Sequence, residues 1–223
     1  MDIQTFITNY QEAFGEKATL PILFYYSDAP IAKTEKINGC FFKGIASVRE
    51  GYPISLNADI IGCGGGKLYT GYAPMNDYIP SFVSQKEKYK QTPQPAIDYV
   101  ASLELQSFTG KWLNFVRIDQ AKSFEGMEGL LFLATPDMLS GLTTWAYFDN
   151  DREDAVCAIF GSGCSAVVSQ AVRENRIGGH RTFLGLFDPS VRPYVGAYEL
   201  SFVIPANRFT SMMKTMRECC LFG

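Results

Sequence analysis

The segment Leu130-Leu131-Phe132-Leu133-Ala134-Thr135-Pro136-Asp137 carries the clearest structural signal in the chain. Residues 130–134 form a short, uninterrupted apolar run, which is typical of a strand. Thr135 suits an N-cap, and proline is favoured at the first helical position because the N–H group that it lacks would have no partner there. The segment therefore predicts a strand that passes directly into a helix, and this helix extends to Tyr147.

Comparable patterns predict the other elements. Apolar residues recur at helical spacing before Gly15, and Thr92-Pro93 repeats the N-cap and proline combination. The predicted helices cover residues 6–14, 41–49, 92–105, 135–147, 164–173 and 205–217. The predicted strands cover residues 21–26, 53–56, 112–118, 130–134, 155–160, 182–187 and 197–204. Residues 62–66 are predicted to form a loop, and residues 84–95 a surface connection.

The order of these elements indicates the fold class. Strands and helices mix without a strict strand-helix-strand repeat, so we predict an α+β fold in which helices cover a mixed sheet. Residues 1–223 are expected to form a single domain, with only a weak boundary near residues 106–111.

Composition and charge exclude several classes of protein. Of the 223 residues, 47% are hydrophobic, which is enough to fill a core, and the net charge of -3 leaves no basic surface for nucleic acid or an anionic membrane. The chain has no apolar run of about 18 residues and no signal-peptide pattern at its start, so we expect a cytoplasmic protein without a membrane partner. The six cysteines lack the spacing of a secreted domain and are predicted to be free thiols.

Two glycine clusters indicate a binding site. They are Gly161-Ser162-Gly163-Cys164-Ser165, which ends an apolar run and opens a helix, and Gly62-Cys63-Gly64-Gly65-Gly66. Glycine allows a ligand to approach the backbone closely, and the free N–H groups at a helix start favour an anion. The predicted ligand-binding residues are Cys63, Gly64, Gly65, Gly161, Gly163, Cys164, Ser165 and Arg192.

The role of Arg192 has two interpretations. Its guanidinium group and the helix start would together complement a small anionic ligand or cofactor. Alternatively, Asp188 and Arg192 would lie on one side of an extended segment and form a structural ion pair. Neither glycine cluster matches the dinucleotide or nucleoside triphosphate motifs, so the cofactor, if there is one, is left unassigned.

The cysteines give three further interpretations. Cys40, Cys63 and Cys164 would hold a soft metal or an iron–sulfur cluster if they converge, although the chain has no Cys-x-x-Cys pair. Cys164 at a helix start is the candidate nucleophile, with the sole histidine, His180, as its base. The third interpretation is that these cysteines are small buried hydrophobic residues beside tightly packed glycines.

Six short motifs, taken in their order and spacing, resemble the ArCR-type family that is labelled domain of unknown function 169. The motifs are Gly39-Cys40, Gly62-Cys63-Gly64-Gly65-Gly66, Lys88-Tyr89-x-x-Thr92-Pro93, Pro136-Asp137-Met138-Leu139-Ser140, Phe160-Gly161-Ser162-Gly163-Cys164 and Asp188-x-Ser190-x-Arg192. The resemblance spans most of the chain and implies no particular reaction. Cys157 stands where the resemblance leads us to expect an aliphatic residue. Of the cysteines, Cys157 is therefore the one that the resemblance supports least as a site residue.

Three functions therefore remain open from the sequence. The first is binding of a small ligand or cofactor at the cysteine and glycine clusters. The second is a thiol- or metal-dependent enzyme that uses Cys164 with Cys40 and Cys63. The third is an interaction protein in which the glycines only pack.

Overall fold

The computed structural model describes residues 2–222, and within them seven strands form one sheet in the order β2-β3-β1-β4-β7-β6-β5. The strands are β1 (Ile22–Ser27), β2 (Ile54–Leu56), β3 (Trp112–Arg117), β4 (Gly129–Ala134), β5 (Val156–Cys157), β6 (Thr182–Gly185) and β7 (Leu200–Pro205). All neighbours are antiparallel except β5 and β6, which are parallel. The sheet is therefore mixed, as predicted.

Helices cover both faces of this sheet. They are α1 (Ile3–Phe14), α2 (Phe42–Arg49), α3 (Gly64–Tyr69), α4 (Tyr78–Ser81), α5 (Gln94–Leu103), α6 (Pro136–Phe148), α7 (Gln170–Ile177) and α8 (Ala206–Thr215). Two π-helical turns are present. The turn at residues 82–86 leads into a loop, and the turn at residues 165–169 leads into α7. None of the helices in residues 2–222 is long and apolar enough to span a membrane.

Alternation along the central strands divides the interior into two cores. Leu131 and Leu133 of β4 face the first core, together with α2, α3, α5 and α7. Leu130 and Phe132 face the second core, which contains Trp145 and is covered by α1, α6 and α8. Because successive strand residues point to opposite faces, the apolar run that begins at Leu130 supplies both cores.

The α+β class with helices on a mixed sheet is confirmed. Residues 106–111 connect α5 to β3, and β3 pairs with β1 and β2 from the first half of the chain. We retain as a proposal that residues 1–223 form a single domain.

Three local predictions are wrong. Residues 62–66 are not a loop, because Cys63 caps α3, which begins at Gly64. The strand predicted at 155–160 is restricted to Val156 and Cys157, since β5 pairs only with β6 at the edge of the sheet. The segment 84–95 is more than a surface connection, because it continues the π-helical turn at 82–86 and contributes to the wall of a cavity.

Candidate functional site

A cavity of about 430 Å³ lies among α3, α4, α5 and the start of the helical segment at 163–177. Its wall contains parts of both glycine clusters and the three thiols that the sequence singles out. The lining residues from these groups are Gly39, Cys40, Cys63, Gly64, Gly65, Gly161, Ser162, Gly163 and Cys164. Two other depressions, of about 440 and 570 Å³, contain none of them.

The glycine cluster at 161–165 forms a tight turn that Asp188 holds in place. The backbone N–H of Gly163 donates to Asp188 Oδ2 at 2.6 Å, and the side chain of Asp188 also accepts from Ser190 and from the backbone of Val191. A Cβ atom at Gly163 would lie 2.9 Å from the Phe42 ring, so only glycine fits without displacement. Asp188 therefore occupies the helix-start N–H group that was predicted to bind an anion.

The glycine cluster at 62–66 caps and begins α3. The Cys63 sulfur accepts a hydrogen bond from the Gly66 N–H at 3.4 Å, which satisfies one of the unpaired donors of the first helical turn. A Cβ atom at Gly62 would overlap the carbonyl oxygen of Ile37, so this glycine is required for close packing. Gly64 differs, because a Cβ atom there would meet nothing within 4 Å. Part of the cluster packs, and part of it borders open space.

Burial changes the titration of two cysteines in the cavity wall, Cys40 and Cys164. Burial raises the pKa of Cys164 well above its usual value, and it raises the pKa of Cys40 to about 11. A helix start was expected to lower the pKa of Cys164, but the residue is only 7% exposed and desolvation of its thiolate outweighs any effect of the helix start. The expectation of a stabilised Cys164 thiolate is therefore wrong.

The proposed base for this thiol lies elsewhere. His180 Nε2 contacts Asp154 Oδ1 at 2.8 Å, and His180 is not part of the cavity wall. Within residues 2–222, no group of three or more His, Cys, Asp or Glu side chains is placed to hold a metal ion. Cys40, Cys63 and Cys164 thus share a cavity without forming a metal-ligating set there.

Arg192 is directed away from the glycine turn. Its guanidinium group donates to the backbone carbonyls of Glu199, Gly196 and Ala197 at 2.7 to 3.0 Å. Both interpretations of this residue are wrong, because it neither lines the cavity nor pairs with Asp188. Ser165 is also fully buried behind the wall, where it accepts a hydrogen bond from the Tyr99 hydroxyl at 3.0 Å.

Aromatic residues form much of the remaining wall. Three pairs of rings line it, with centroid separations of 6.3 Å for Tyr69 and Tyr99, 5.4 Å for Tyr78 and Phe82, and 5.8 Å for Tyr89 and Phe160. Glu87 and Lys90 also line the cavity.

The sequence interpretation missed these residues, although one signal was present. Tyr89 belongs to the motif Lys88-Tyr89-x-x-Thr92-Pro93, which was used only to recognise the family. The backbone at Lys88 is left-handed, with a φ of 58°, which is rare for a residue that has a side chain. The two residues that flank it, Glu87 and Tyr89, both line the cavity.

The chain belongs to the family described as uncharacterised ArCR, domain of unknown function 169, whose profile matches residues 17–215. This match includes every residue of the cavity wall. No curated protein and no solved structure matched the chain.

Proposed function

We propose that the protein binds a small, largely apolar molecule in the cavity between the two glycine clusters. The observation that carries the proposal is convergence: Cys40, Cys63 and Cys164 are far apart in the sequence but line one cavity. Its volume of about 430 Å³ lies within the range of roughly 300–1,000 Å³ that ligand pockets occupy.

Packing alone accounts poorly for this space. Protein interiors are close-packed, and each void in them forfeits contacts between the atoms that line it. Gly62 and Gly163 do serve packing, since a Cβ atom at either would meet a neighbour. Gly64 is exposed at the cavity wall and a Cβ atom there would meet no neighbour, so packing does not explain the glycine at this position.

Binding is also better supported than thiol catalysis. A cysteine nucleophile reacts as the thiolate, and burial raises the pKa values of both Cys40 and Cys164. The sole histidine pairs with Asp154 and is not in the cavity wall. These facts support a role of the thiols as a soft, polarisable lining of the cavity.

The six cysteines are free thiols, which fits the proposal of a cytoplasmic, reducing location. We also propose that neither nucleic acid nor a membrane is a partner of this protein, because its net charge is -3.

A cavity-blocking variant tests the proposal. Gly64→Phe places a ring at the wall without a clash at its Cβ atom, and the backbone there is not left-handed. Ser140→Phe is the matched control, because Ser140 is exposed on α6, on the opposite face of the sheet. The probe is para-tert-butylphenol, an uncharged aromatic compound, and binding is measured by titration calorimetry.

We expect the wild type and Ser140→Phe to bind the probe and Gly64→Phe to lose binding. Equal binding by all three proteins would place the probe outside the cavity and overturn the proposal. Circular dichroism of each variant establishes that the folded state is retained.

A further inference from the structure

Negatively charged side chains outnumber positively charged ones at the cavity. Glu87 and Lys90 line it, and Asp188 lies directly behind the Gly163 turn. Among residues 2–222, no side chain forms a hydrogen bond or an ion pair with the carboxylate of Glu87. A half-buried carboxylate without a partner is costly unless a ligand supplies the opposite charge.

One N–H group of the helix start is already bound within the protein. The Gly163 N–H donates to Asp188, so the protein's own carboxylate takes this donor of the predicted anion site. The charge of Asp188 reaches the cavity wall: after burial, it is a further cause of the raised pKa values of Cys40, Glu87 and Tyr89. Glu87 in the wall and Asp188 behind it therefore place two carboxylates at the cavity against the single ammonium group of Lys90.

The aromatic rings of the wall also favour a positively charged ligand. The face of an aromatic ring carries negative charge in its quadrupole and attracts cations. One ring already does so, because Lys90 Nζ lies 5.5 Å from the centroid of Phe160. Five further rings line the cavity, and none of them has a protein cation at such a distance among the described residues.

We propose that the ligand of this cavity is an organic cation, such as a substituted ammonium compound, whose charged group lies against the aromatic rings and the carboxylate of Glu87. The proposal rests on the proposed function and adds the class of ligand. Lys90 then competes with the ligand for the ring of Phe160, so removal of its ammonium group strengthens binding of a cation.

Three probes of one shape test the charge preference. They are para-(trimethylammonio)phenol, which is cationic, para-tert-butylphenol, which has the same shape without the charge, and para-phenolsulfonate, which is anionic. Titration calorimetry on the full chain near neutral pH gives their dissociation constants. We expect the cation to bind at least about tenfold more tightly than the neutral probe, and the sulfonate to bind most weakly.

Two variants then assign this preference to residues. Glu87→Gln keeps the shape of the side chain and removes its charge, so it weakens binding of the cation by about tenfold and leaves the neutral probe unchanged. Lys90→Met removes the competing cation and tightens binding of the cationic probe. Glu16→Gln and Lys17→Met, both at exposed positions outside the cavity, are the matched controls and leave all three constants unchanged.

The outcomes separate this proposal from the broader one. Binding of the neutral probe with no preference for the cation would overturn the assignment of the ligand class and leave the proposed function standing. If Lys90→Met weakened binding of the cationic probe, Lys90 would not compete with a cation, and this result would also overturn the assignment of the ligand class. An unchanged cation affinity in Glu87→Gln would remove Glu87 from the site. Binding of no probe to the wild type would overturn both proposals.

Discussion

Replacement of Asp188 by asparagine is expected to destabilise the fold, because this side chain joins the Gly163 turn to the segment at 188–191. Asp188 is 1% exposed and accepts three hydrogen bonds: from the Gly163 N–H, the Val191 N–H and the Ser190 hydroxyl. Asparagine keeps one acceptor oxygen and replaces the other with an NH₂ group.

The magnitude follows from the donors that asparagine leaves unpaired. If its oxygen faces Gly163, its NH₂ group faces Ser190 and Val191; the Ser190 hydroxyl can rotate to accept, but the Val191 N–H cannot. A buried unpaired donor costs about 1–3 kcal/mol, and loss of the negative charge weakens the bond to Gly163 as well. We therefore expect Asp188→Asn to lower the free energy of unfolding by about 2–3 kcal/mol, and Asp188→Ala by about 3–5 kcal/mol.

Urea unfolding followed by circular dichroism measures both values, and the slope of the transition shows whether the native state stays compact. Asp154→Asn is the control, because Asp154 forms an exposed contact with His180 and its removal changes stability little. If Asp188→Asn were as stable as this control, Asp188 would not hold the glycine turn, and the argument for a cation site would lose one of its two carboxylates.

Two further predictions concern packing and thiol reactivity. Gly179→Ala is expected to lower the free energy of unfolding by about 2 kcal/mol, because its Cβ atom would overlap the buried carboxylate of Glu174; Gly64→Ala, in open space, is the control, and an equal effect of both in urea unfolding would contradict the prediction. Alkylation of Cys40 by iodoacetamide, followed by peptide mapping, is expected to be slow at neutral pH and to rise with pH until about 11, since burial raises the pKa of this thiol to about 11 and only the thiolate reacts. Exposed Cys220 provides the comparison, and equal rates near neutral pH would show that Cys40 is not protected.

Local patterns were sufficient for most of the sheet and its helices. The apolar run at 130–134 and the Thr135-Pro136 helix start correspond to β4 and α6, because both are determined by the residues themselves. The segment 62–66 was misassigned since three consecutive glycines have low helix propensity. In the structure, tertiary contacts override that propensity: Gly66 packs against Ile61 and Cys63 supplies the cap.

The candidate site was predicted unevenly for a related reason. Glycine and cysteine clusters stand out in a sequence because few roles require them together. Aromatic residues do not, since they make up 14% of this chain and most of them fill the two cores. Phe160, at the cavity wall, is the same residue type as Phe24 and Phe132, which are fully buried in the cores. Only the arrangement of the elements shows which rings surround open space.

One contact that bears on the charge preference of the cavity joins residues 25 positions apart in the chain. A helix start is electropositive by itself, so the local sequence around Gly163 correctly indicates an affinity for a carboxylate. The protein satisfies that affinity at Gly163 with its own Asp188. What remains for a ligand is the carboxylate of Glu87 and the negative faces of the aromatic rings. The same physical rule that predicts an anion site from the sequence therefore leads to a cation site once the internal anion is in place.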